Sequence, residues 1–254
     1  MLLDAIITVL RETLEAGVLI GVLLAVGQIR HQRALWLLPA LALGGALSWL
    51  IAANLGAISA QFDYRGQELL NASLQLLIFV LLLAVIAQRH RSPGFPLLAV
   101  TLLASSITTL AVIREGSEVI IFYQGFTHDP ALLQRALVSG FIGMAIGASV
   151  GALVFYLLVQ LQTARTRKLQ TLVLVLIGAG MVMQAAQTLL QVDLLPAGLP
   201  VWDSNHLLNE STISGQLVYA VFGYEATPTL AELICYGSAI LLSLLTLHFT
   251  RRSR

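Results

Sequence analysis

The sequence predicts an all-α integral membrane protein, and three observations lead there. Hydrophobic residues make up 57% of the 254-residue chain and charged residues 11%, against roughly 25% charged in ordinary soluble domains. Mean hydropathy is +0.86. The apolar residues gather into continuous runs of about 20 residues or more, the length a helix needs to cross a bilayer. They lack the period-two alternation of a membrane β-barrel.

Seven such runs follow one another. The first, Leu2 to Val26, carries charges inside its apolar stretch and lacks a basic leader, so it reads as a retained span rather than a cleaved signal peptide. The second covers Leu35 to Leu55 and the third Glu68 to Ala87. The fourth, Phe95 to Phe126, exceeds one perpendicular crossing, which calls for a tilted helix, a broken one or an interfacial lead-in. The fifth covers Ala136 to Gln160 and the sixth Leu169 to Leu190. A polar stretch precedes the last run, Thr229 to Phe249.

Lysines and arginines orient the bundle. Ten of the fourteen fall after the first, third, fifth and seventh runs: Arg30, Arg33, Arg89, Arg91, Arg165, Arg167, Lys168, Arg251, Arg252 and Arg254. Only Arg65 and Arg135 lie in the opposite loops. The expected topology has the N-terminus outside and the C-terminus in the cytoplasm. Asp63, Asp129, Asp193, Asp203, Glu210 and Glu225 then fall in exterior loops. They form either an acidic antechamber that concentrates cations or a by-product of topology. The net charge of +1 gives no reason to expect nucleic acid, and the single Cys235 leaves no internal disulfide.

The most informative charges lie inside the apolar runs. Arg11-Glu12-Thr13-Leu14-Glu15 in the first and Arg114-Glu115-Gly116-Ser117-Glu118 in the fourth both read R-E-x-x-E, 103 residues apart. The same offset carries Gly44 onto Gly147 and GGALS onto GASVG. Runs one to three and four to six therefore look like two copies of one unit. Three crossings per copy invert the second, as in many transporters whose site lies where the repeats meet. The expected division is 1–92, then 93–192, then the exterior loop and seventh helix over 193–254.

On a helix the two glutamates of each motif share a face, and each arginine lies one turn from the second glutamate, able to neutralise it in part. A charge at bilayer depth costs about 2.5–3.5 kcal/mol on insertion scales, so six such residues imply a use. Four carboxylates and two guanidiniums brought together leave a net negative site that a cation would relieve. Oxygen ligands favour hard ions over Cu⁺. All five histidines lie in loops or near run ends, and no Cys or Met cluster competes. The alternatives are Arg–Glu pairs that only lock two helices together, or a proton-coupled transporter of another divalent metal such as manganese. No phosphate-binding loop is present for ATP hydrolysis, and no deep His or Lys is available to activate a nucleophile.

These paired motifs resemble the oxidase-dependent iron permease family, which includes the fungal high-affinity iron permeases and the bacterial Efe-type and Ftr-type iron uptake permeases. Its R-E-G-x-E marks the first and fourth of seven helices; here the fourth run keeps the glycine and the first has Thr13. QELLNASLQLLIF is similar to the family's E-L-F-E-G segment, with Glu68 at its first acid and Asn71-Ala72 where the family has Glu-Gly. The stretch from Trp202-Asp203 to Gly223-Tyr224 is similar to its exterior loop.

The resemblance implies a multi-pass permease of the bacterial inner membrane, not an enzyme, with iron as cargo rather than resident cofactor. It also implies a periplasmic cupredoxin-like or peroxidase-like partner that oxidises Fe²⁺ to Fe³⁺. Glu12, Glu15, Glu115 and Glu118 would be the metal ligands, with Arg11 and Arg114 as their charge partners. Glu68, Asp203 and Glu210 are candidate ligands at the mouth. Asp203, His206 and Glu210 would share a face if they stood on a short helix, but a solvated loop is the other reading. Ser105, Ser106, Thr108 and Thr109 are path or packing hydroxyls, and Gly17, Gly21, Gly143, Gly147 and Gly151 are steps for close helix contact.

Overall fold

The computed structural model describes residues 2–28, 34–90, 97–160, 164–196, 198–209 and 212–252. Among these the regular structure is helical, and a single bridge pairs Pro200 with Thr229. The elements are α1 (Leu2–Gln28), a 3₁₀ turn (Ala34–Trp36) leading into α2 (Leu37–Ala53), and α3 (Leu55–Ser59). They continue with α4 (Gly66–His90), α5 (Leu97–Gln124), α6 (Pro130–Gln160), α7 (Ala164–Gln191), α8 (Ile213–Phe222) and α9 (Leu230–Arg252). By length and composition six can cross a membrane: the 3₁₀ turn with α2, then α4, α5, α6, α7 and α9. The 27-residue α1 is long enough, but Asp4, Arg11, Glu12 and Glu15 interrupt its apolar surface.

Several helix ends differ from the hydropathy reading. The fourth run is one unbroken 28-residue helix. The fifth begins six residues early because Asp129 accepts the Ala131 and Leu132 amides on Oδ1, capping a helix that opens on Pro130. The polar stretch contains α8. Thr212 caps its start by accepting the Gly215 amide, and Gly223, at φ 64°, ends it in the left-handed conformation. At the start of α9 the Thr229 hydroxyl donates to Glu232 Oε2 at 2.7 Å, and that oxygen also takes the Thr229 amide at 2.6 Å. This is a capping box, and it explains the buried Glu232. Between α3 and α4, Phe62, Asp63 and Tyr64 are all left-handed, with φ of 53°, 58° and 65°.

The chain forms two compact units. The first contains 1–55 and 108–162; the second contains 56–107 and 163–254. In lipid there is little hydrophobic gain from pairing helices, so close backbone approach and dispersion must hold them. The first unit is built that way. A Cβ on Gly21 would stand 2.5 Å from the Gly151 carbonyl oxygen, and one on Gly151 would stand 2.6 Å from that of Gly17. The glycine steps of α1 and α6 therefore face each other. Against α5, Ser48 of α2 donates to the Gly44 and Val112 carbonyls at 2.8 and 2.7 Å. Gln124 of α5 donates to the Ala52 carbonyl at 3.2 Å. Leu38, Trp49, Phe141 and Leu153 point outward, as side chains facing hydrocarbon would.

In the second unit Phe79 of α4, Ala179 of α7 and Ala239 of α9 form the buried centre, with Leu83, Val182 and Tyr236 packed around it. The segment before α9 folds back on itself. Val201 donates to the Pro228 carbonyl, Ser204 to that of Ala226, and the Tyr224 hydroxyl to that of Leu208.

Candidate metal centre

Both motifs lie in the first unit, and α1 and α5 bring their six charges together. Each arginine makes one contact within its own motif and one across to the other helix. Arg114 pairs with Glu15 of the other motif at 2.8 Å and with its own neighbour Glu115 at 2.5 Å. Arg11 pairs with its neighbour Glu12 at 2.5 Å and reaches Glu118 of the other motif at 3.9 Å. Each arginine therefore holds the adjacent first glutamate and the second glutamate across the gap. The spacing suggested a partner one turn along the same helix; helix packing supplies the one opposite.

Burial is uneven. Glu12, Glu15, Arg114 and Glu115 are nearly sealed, whereas the side chains of Arg11 and Glu118 are 40% and 26% exposed. In each motif the arginine takes Oε1 of the first glutamate, while Oε2 of both Glu12 and Glu115 is buried without a hydrogen-bond partner. Glu12 and Glu115 both line one cavity of about 550 Å³. Its other walls are largely apolar and include Ile20, Leu41, Val119, Met144 and Phe155. Two ionised carboxylates offer only acceptors, so side by side in an apolar pocket they call for a proton or a cation between them.

Among the described residues no three His, Cys, Asp or Glu side chains form a ready-made metal cage. In this arrangement Glu15 and Glu118 are turned to the arginines. The geometry presents a two-carboxylate station with two further carboxylates in ion pairs beside it.

The remaining candidates are dispersed. Glu68 lies in the first turn of α4 in the second unit, with a buried Oε2 that has no hydrogen-bond partner. Asp203 is exposed in a turn rather than on a helix. Its carboxylate accepts the Asn205 amide at 2.9 Å, which holds its pKa below the usual aspartate value. The one-face alternative for Asp203, His206 and Glu210 therefore gives way to the loop reading over the described part, and Glu210 lies outside the described residues. Asp129 acts as a helix cap. Sequence reasoning overlooked a buried carboxamide pair in the second unit, Gln75 of α4 donating to Gln184 of α7 at 3.1 Å. Its signal was a strong polar residue in the middle of each apolar run.

No curated protein and no solved structure matches the chain. Its sequence does match the Iron permease FTR1 family over residues 2–251, in keeping with six apolar helices and the clustered charged motifs of α1 and α5, and the chain belongs to that family of multi-pass membrane permeases.

Proposed function

We propose that the chain carries iron across the bacterial inner membrane through the station formed by Glu12 and Glu115. The observation that carries this reading is the pair of buried Oε2 atoms, one per motif, left without donors beside a shared cavity. An iron ion between them supplies the missing positive charge. Glu15 and Glu118 complete its oxygen shell when they leave Arg114 and Arg11, and the return of the arginines displaces the ion. Family membership favours iron over manganese for the same donor set.

The finer parts of the reading rest on the sequence. The excess of arginine after alternate spans supports a cytoplasmic C-terminus, with α1 as a seventh crossing whose charges are tolerated because they are paired. The 103-residue offset supports inverted repeats. So does the packing: α1 lies on α6 and α5 on α2, each first helix against the second helix of the other copy. The likeness to oxidase-dependent permeases supports delivery as Fe³⁺ by a periplasmic oxidase of cupredoxin or peroxidase type.

Uptake of radiolabelled iron into cells tests the station. Glu12→Gln with Glu115→Gln keeps the shape of both side chains and removes both charges. Uptake should fall at least about a hundredfold, since each charged interaction with the ion is worth roughly 1.5–3 kcal/mol. Normal uptake by the double variant at wild-type membrane abundance would overturn the assignment.

A further inference from the structure

The geometry points to a second cation-binding station, wholly within the second unit and separate from the motif glutamates. Its outer end is a cavity of about 360 Å³ lined by Trp202, Phe222, Tyr224, Glu225 and Pro228. Gln187 of α7 donates to Glu225 Oε2 and accepts the Tyr219 hydroxyl at 2.7 Å, so Tyr219 orients its carboxamide toward the carboxylate. One turn deeper on α7, Gln184 accepts from Gln75 of α4. Gln75 and Gln184 are 1% and 2% exposed, and the Gln75 carbonyl oxygen, Oε1, has no hydrogen-bond partner. A row of carboxamides therefore leads from the Glu225 carboxylate to a buried acceptor.

Glu68, Asn71 and Gln75 are spaced i, i+3 and i+7, so they share one face of α4. Glu68 Oε2 is a second buried oxygen without a partner, about 10 Å from Gln75 along the helix axis. A buried acceptor without a partner is costly, and two of them on one face fit a positive ligand. Carboxylate, carboxamide and phenol oxygens are donors for a hard metal cation. Glu225 receives the ion in the cavity, and the carbonyls of Gln187, Gln184 and Gln75 hold it with part of its water removed. Neutral ligands bind more weakly than carboxylates, which suits a station of transit. That the ion is iron rests on the proposed function; that a hard cation binds does not.

Terbium(III), a hard ion whose emission is sensitised by nearby Trp and Tyr, reads this station through Trp202, Tyr224 and Tyr219. Purified full-length protein in detergent is titrated with Tb³⁺ and excited in the aromatic band. Wild type should show a saturable rise. Glu225→Gln should weaken half-saturation about tenfold, as expected when one carboxylate charge is removed from the ion's shell. Gln75→Leu should weaken it several-fold, and Glu12→Gln with Glu115→Gln should leave the Glu225-dependent part of the signal in place. The Glu225 substitution conserves shape, so it tests the station even where Gln75→Leu impairs folding. In cells, Glu225→Gln should raise the iron concentration for half-maximal uptake while keeping the maximal rate, whereas the motif variants lose the rate. Superimposable wild-type and Glu225→Gln titrations would overturn the proposal, as would loss of the signal in the motif double variant alone.

Discussion

The two R-E-x-x-E motifs carry the same charges in the same order and come to rest in different surroundings. On α5, Arg114 is sealed and spans Glu15 and Glu115 with short contacts; on α1, Arg11 is 40% exposed and reaches Glu118 only at 3.9 Å. The intervening residues differ as well. Gly116 lets Ser48 of α2 come close enough that a Cβ there would stand 2.6 Å from its hydroxyl oxygen. Thr13 occupies the matching place on α1, where the facing helix supplies Gly147 instead. The site is therefore one tight half and one loose half. The strength of an ion pair follows from how fully its surroundings exclude solvent, not from the residues alone.

The largest test of that contrast is to remove each arginine. Arg114→Leu strands two buried carboxylates and should cost about 3–5 kcal/mol. Arg11→Leu strands one buried carboxylate, Glu12, and loses only a long contact to Glu118, so it should cost less, about 2–3 kcal/mol. Thermal unfolding of the purified variants reads the difference, and equal losses would abolish the distinction between the halves. Exchanging the intervening residues should matter less. Gly116→Thr forces α2 away from α5 and should cost about 1–3 kcal/mol through overpacking, whereas Thr13→Gly loses only helix preference, about 0.5–1 kcal/mol. If Thr13→Gly proved the more damaging, the glycine asymmetry would have another origin. The smallest effect belongs to Asp203, far along the chain from either motif. Its folded pKa is depressed by the Asn205 amide, so its contribution is present above the unfolded aspartate value and lost as pH falls through the folded one. Asp203→Ala should leave iron uptake unchanged and speed amide exchange at Asn205 at neutral pH; a large loss of uptake would make Asp203 a working ligand.

Much of this architecture was legible because the bilayer imposes long apolar runs and penalises stray charge. All seven runs fold as helices, and the two motifs meet. Shorter features follow local chemistry that hydropathy averages away. Asp129-Pro130 is a helix-start signal, and so are Thr212 before α8 and the Thr229-x-x-Glu232 box before α9. Their composition could have revealed them. The arginine exchange was not legible, because Glu15 lies equally near Arg11 by sequence and only the docking of α5 makes Arg114 its short contact. The link from Gln187 to Glu225 likewise joins residues 38 apart through the return of a loop.

The exchange also bears on how the protein is made. Glu15 and Arg114 are separated by 99 residues, which at about 5–20 residues per second takes about 5–20 s to synthesise. Throughout that interval α1 already exists, with a buried-type carboxylate and no counter-charge from α5, and without the glycine face of α6 to rest on. Of the two helices that carry the charged cluster, the one made first is thus the one whose partners arrive late. A nascent chain arrested before residue 114 should therefore leave α1 without its counter-charge and open to degradation.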